Sequence, residues 1–182
     1  MAQRVLYGRG VRQRGFTLIE IMIAVGIIGV LVALAIFSWG KSVRKGRGAE
    51  AQAFFAALRV AEEQYHLENG TYFSTASSEA VTHPATPIKT IQTLLPLPAS
   101  WTQLRVQIPE QNAYCGYVVI AGAANDSTGI GAMANAFGFT SAPVSDWYYL
   151  LAHCDLDGSS TRDSYYFSWS GDTTVLKQNE GY

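Results

Sequence analysis

The sequence carries almost none of the groupings from which active sites are built. Its three histidines, His66, His83 and His153, are scattered, and no nucleophile elbow, zinc-ligand spacing or phosphate-cradling loop occurs. His153, Cys154 and Asp155 are consecutive, but neighbouring side chains of a strand point to opposite faces, so they form no triad as they stand. Gly129-Ile130-Gly131 with Ala134 meets a loose dinucleotide fingerprint, yet no strand leads directly into it and no βαβ unit surrounds it. The expectation is a chain that is not an enzyme and needs no cofactor. An excess of positive charge is also missing: 13 basic residues stand against 14 acidic ones, for a net charge of −1. A general nucleic-acid binder would present a basic face, so nucleic acid is not indicated as a partner. Cysteine is limited to Cys115 and Cys154, which agrees with an oxidising compartment if the two pair.

What the chain does have is one long apolar run. From Phe16 to Phe37 it reads FTLIEIMIAVGIIGVLVALAIF, 22 residues in which Glu20 is the only ionisable side chain. As a helix this run is about 33 Å long, enough to cross a hydrocarbon core about 30 Å thick. A plain anchor or an uncleaved signal sequence would account for the length. It would not account for Glu20, because charge in an apolar span is costly and usually functional, nor for Gly15, which stands between a basic head and the run. The head, residues 1–15, holds Arg4, Arg9, Arg12 and Arg14 and no acid. Without those four arginines nine basic residues remain against fourteen acids, a net charge of −5. Lys41, Arg44, Lys45 and Arg47 flank the other end, so the positive-inside rule leaves the orientation tied.

Gly15-Phe16-Thr17-Leu18-Ile19-Glu20, with the basic leader before it and the apolar helix after it, resembles the type IV pilins and type II secretion pseudopilins. All six residues match. The resemblance implies cleavage between Gly15 and Phe16 by a prepilin peptidase, N-methylation of Phe16, and a role for Glu20 in filament assembly. It also breaks the tie in orientation, with the leader in the cytoplasm and the body outside. The implied partners are the peptidase, an inner-membrane pilus or secretion assembly machinery, membrane lipid before assembly, and further copies of the same chain. The implied location is the inner membrane, then an extracellular pilus. Many members have proline where this chain has Phe37; without it, Gly26 and Gly29 are left either to soften the helix or to allow close packing. Major pilin, minor pilin and pseudopilin all fit, as do roles in adhesion, motility, secretion or DNA uptake. The reading from another class is a membrane-tethered module binding DNA or a surface.

The expected fold class is α+β: a long N-terminal helix packed on a C-terminal antiparallel sheet, pilin-like. A cleaved leader (1–15) is followed by a transmembrane or filament-core helix (16–40) and an extracytoplasmic domain (41–182). Within that domain an amphipathic helix extends to about 69, softened near Gly40, Gly46 and Gly48. Phe54, Ala57, Leu58, Ala61 and Tyr65 share one face, while Glu62 and Glu63 supply polar positions. Asn69-Gly70 is a left-handed stop. Residues 70–101 form a proline-rich loop with a helical piece near 88–95. A sheet over 102–178 begins with the alternating strand Thr102–Ile108 and continues through Ala113–Ala121, Trp147–Cys154, Ser164–Ser170 and Thr173–Lys177. Residues 122–143, rich in small side chains, are read as a surface loop. Many pilins staple their C-terminal region, and a bridge between Cys115 and Cys154 would do so here; buried free thiols are the other reading. Asp155 and Asp157 are weak candidates for calcium; the preferred reading of Asp157-Gly158 is a hairpin turn.

Overall fold

A computed structural model describes residues 15–85, 87–159 and 161–181. The basic leader and its four arginines lie outside the described residues. The chain divides into two units, 1–39 and 40–182. The first is helical from Leu18 onward, as the beginning of α1 (Leu18–Gly48). Its apolar side chains among the described residues, Ile19, Met22, Ile27 and Leu34 included, are exposed. By length and composition the helix can cross a membrane.

The second unit is built on α2 (Glu50–Asn69) and a four-stranded antiparallel sheet. Only Ala49 separates α2 from α1, and its N–H still donates to the Lys45 carbonyl, so the softening near Gly48 is a single turn. At the far end Gly70 adopts φ 76° and returns its N–H to the His66 carbonyl at 2.7 Å. Glycine reaches this left-handed geometry without a Cβ penalty, and α2 stops where Asn69-Gly70 predicts.

The sheet runs in the order β3 (Cys115–Gly122), β4 (Trp147–Cys154), β5 (Ser164–Trp169) and β6 (Asp172–Gln178); two short strands, β1 (Gln92–Thr93) and β2 (Asn112–Ala113), pair separately. Phe54, Phe55, Leu58 and Ala61 of α2 pack on Tyr117, Val119, Tyr148, Leu150 and Tyr166. Phe54 stacks on Tyr117 with ring centroids 4.3 Å apart. The opposite sheet face carries Val118, Ile120, Trp147, Tyr149, Leu151 and Phe167. It is covered by the excursion between β3 and β4, which contributes α4 (Ala132–Ala136) and Phe139. Both faces being covered, β3 and β4 read as near-continuous apolar runs.

Three expectations need correction. The excursion is more than a surface loop: it closes the second face, and Glu79 holds it by accepting the N–H groups of Met133 at 2.6 Å and Ala134 at 3.3 Å. The sheet does not begin at 102. Thr102–Ile108 is no strand; α3 (Ala99–Gln103) occupies its start, and Arg105 has φ 55°. Leu104 and Val106 are buried as their alternation predicts. The alternation reports burial under α2, but no strand edge lies alongside to pair with. The helical piece near 88–95 is likewise replaced by β1.

Candidate functional site

The candidate site is the beginning of the apolar helix. Gly15, Phe16 and Thr17 precede α1, and Phe16 is 80% exposed. Thr17 caps the helix. Its Oγ1 accepts the Glu20 N–H at 3.3 Å, while Glu20 Oε2 accepts the Thr17 N–H at 3.3 Å. This reciprocal pair is a capping box, which satisfies two backbone donors that a helix start leaves open. The carboxylate also faces the positive end of the helix dipole. Among the described residues Glu20 has no cationic partner. A free amine on Phe16, four residues before Glu20 and just ahead of the helix, would supply one nearby. Thr17-x-x-Glu20 ahead of an apolar run is the sequence signature of this capping box.

The basic residues that follow the apolar segment are engaged within the second unit. Arg44 Nε donates to the Gly181 carbonyl at 2.7 Å, Lys45 pairs with Glu180 at 3.3 Å, and the Arg47 guanidinium lies 4.7 Å above the Tyr114 ring. Hydrogen bonds from Lys177 and Lys45 hold the Glu180 carboxyl below the usual carboxylate range. Arg44 and Lys45 therefore tie the C-terminal segment to the helix, a pairing no local pattern announces.

Two glutamates of α2 are also structural. Glu50 Oε1 accepts from the backbone N–H of Tyr114 and Cys115 and from the Tyr117 hydroxyl, at 2.7, 3.0 and 3.0 Å. Burial raises its pKa despite these bonds. Glu62, expected at a polar position, is completely buried. Its Oε2 accepts the Phe73 N–H at 2.9 Å, and its Oε1 is buried without a hydrogen-bond partner. Burial pushes its pKa up to about 8, with the Glu63 charge adding and the Phe73 bond opposing.

Cys115 and Cys154 are directly opposite each other in β3 and β4 and form a disulfide, with Cα atoms 4.3 Å apart. The bridge joins the start of β3 to the end of β4, at the end of this strand pair away from the excursion. Asp155 and Asp157 are brought together in the β4–β5 loop, where Asp155 Oδ1 accepts the Gly158 N–H at 2.7 Å and Asp157 Oδ1 the Ser159 N–H at 2.8 Å. Gly158 has φ 80°, the turn geometry its sequence predicts. Among the described residues no cluster of three or more metal-ligating side chains occurs. His153 pairs with Asp163 at 2.6 Å and stacks on Tyr165, with no nucleophile in the arrangement.

Residues 11–38 match the family model for the prokaryotic N-terminal methylation motif. The chain is 43% identical over 61 residues to the type IV major pilin protein PilA of Myxococcus xanthus, covering 34% of this chain and 28% of that protein. It is 40% identical over 70 residues to type II secretion system core protein G of Pectobacterium carotovorum, covering 38% and 45%. It is 32% identical over 77 residues to the type IV major pilin protein PilE1 of Neisseria gonorrhoeae, covering 42% and 47%. The chain thus spans less than half the length of these relatives. No solved structure matches it significantly. The class defined by site and fold is that of proteins with a prepilin-type N-terminus and an α+β body. Within that class the methylation motif and the matched stretches of 61 to 77 residues support kinship with the type IV pilin and type II secretion pseudopilin family.

Proposed function

We propose that the protein is a structural subunit of a type IV pilus-like filament. A prepilin peptidase cuts between Gly15 and Phe16, the new Phe16 amine is methylated, and the subunit resides in the inner membrane through α1. It then polymerises, with assembly machinery, into a filament whose core is made of these helices. The observation that carries this reading is the helix start: an exposed Gly15-Phe16 junction, then a capped helix whose apolar side chains from Leu18 to Ile36 are exposed. A lone helix of this composition needs lipid or neighbouring helices around it. Glu20 is the one charge in that surface, and the reading gives it the Phe16 amine of the next subunit as its partner. The work done is mechanical, by association rather than catalysis.

A minor pilin or a pseudopilin is the second reading, favoured by the similarity to the secretion core protein. The Asp155–Asp157 turn is read as a turn and not as a calcium site, because both carboxylates already close it. Mass spectrometry of the N-terminal peptide from assembled protein tests the processing step. The expected terminus is methylated Phe16; a retained Met1 or Ala2 would exclude it.

A further inference from the structure

The excursion that covers the second sheet face reaches β5 but leaves β6 largely exposed. Over β5 and β6 it leaves an open cavity of about 330 Å³, lined by Phe137, Phe167, Trp169, Leu176, Thr140 and Ser141 together with neighbouring excursion backbone. That volume lies within the range of small-ligand sites. Three properties of the lining define what would fit.

The walls are aromatic planes already fixed by packing. Phe137 lies flat on Phe167, with centroids 5.2 Å apart and planes 10° apart, and Trp169 sits 5.3 Å from the buried Phe139. Trp169 and Phe137 are nonetheless only half-buried, and Leu176 is 39% exposed. Second, polar groups at the cavity are unclaimed: among the described residues the hydroxyls of Thr140 and Ser141 and the Trp169 indole N–H make no hydrogen bond. Third, no residue of the lining carries a charge. The nearby cation, Arg59, is spent on the Ser168 hydroxyl and the Trp169 carbonyl.

An anionic ligand finds no counter-charge here, and a purely apolar one would leave three hydrogen-bonding groups dry, at a cost for each. A neutral ring with an apolar face and hydroxyls at its edge satisfies all three properties: its C–H face covers the aromatic planes while its edge meets hydroxyl and indole groups. We infer that the cavity between residues 137–143 and strands β5–β6 is a binding site for an uncharged pyranose, as the terminal sugar of a neutral glycan. The inference does not depend on filament assembly, because every lining residue belongs to one chain.

The test uses the full chain in micelles of a detergent without a sugar headgroup. Saturation-transfer NMR is recorded with methyl β-D-glucopyranoside, methyl β-D-galactopyranoside and lactose, and with N-acetylneuraminic acid as the charged comparison. The site predicts saturable transfer from at least one neutral sugar and none from the acid. It also predicts at least about a tenfold loss of affinity, about 1.4 kcal/mol, in the double variant Thr140→Val/Ser141→Ala. These two positions are exposed, so the melting temperature should hold. Trp169→Phe keeps the plane, removes the N–H and should weaken binding while retaining it. Absence of transfer from all three neutral sugars would overturn the proposal. So would transfer unchanged in the double variant. Binding of an apolar dye that assembly displaces, with no sugar binding, would make the cavity a protein contact instead.

Discussion

Replacing Glu62 by glutamine should remove a specific pH dependence of stability. The folded chain holds this carboxyl at a pKa of about 8, against 4.5 for an unperturbed glutamate. The sign follows from proton counting. Below about pH 4.5 the group is protonated in both states and costs nothing. Between 4.5 and 8 the unfolded chain has lost a proton that the folded chain keeps, so stability falls as pH rises, and above 8 the loss is complete. At about 1.4 kcal/mol per pH unit, a gap of this size amounts to on the order of 4–5 kcal/mol. Glutamine keeps an oxygen for the Phe73 N–H and has no proton to lose. Its amide brings an unpartnered donor to the place of Oε1, at a cost of about 1 kcal/mol. Urea unfolding of the full chain in micelles, wild type and Glu62→Gln, should therefore give similar stabilities at pH 5 and a more stable variant at pH 8. The difference between the two curves isolates Glu62, because every other titrating group is common to both. Parallel curves from pH 5 to 8 would refute the buried-acid reasoning.

Two further predictions rest on the second unit. Cys115→Ser/Cys154→Ser should lower the stability of this unit by roughly 3–4 kcal/mol, as expected for a bridge closing a loop of this length, without altering membrane insertion; free thiols in a non-reducing peptide map of the native protein would contradict the bridge. Millimolar calcium should leave the melting temperature of the full chain unchanged, in wild type and in Asp157→Ala alike, and a rise that vanishes in the variant would establish the site that the turn reading rejects.

The parts of the fold legible in the sequence are those with a local cause. β4 was readable from Trp147 to Cys154 because an unbroken apolar and aromatic run is bounded by Asp146 and Asp155. The end of α2 was readable because Asn69-Gly70 supplies the conformation the stop requires. What was not legible depends on partners distant in sequence. Thr102–Ile108 has the alternation of a strand, but a strand needs an edge, and none lies alongside. Residues 122–143 look like exposed loop because small residues dominate, while Ala134 and Phe139, with Ile130, Met133 and Phe137 around them, seal the sheet. Glu62 sits where a helical wheel allows a polar side chain, and only the chain after Gly70, folding back to place the Phe73 N–H beside it, buries it. At the helix start the matching motif was plain, but the bond pattern joining Thr17 to Glu20 was not drawn from it.

The claim that α1 is an assembly element, and not only an anchor, turns on Glu20. In an apolar filament core an unpaired carboxylate is costly, so pairing with a neighbour's amine would set the register. If Glu20 only caps its own helix, Glu20→Ala removes a helix-end contribution and little else. The direct measurement is electron microscopy of cells that make Glu20→Ala as the sole subunit, with cleavage after Gly15 followed by mass in the same cells. The account predicts a cleaved, membrane-held subunit and few or no filaments. Filaments of normal number and length would contradict it.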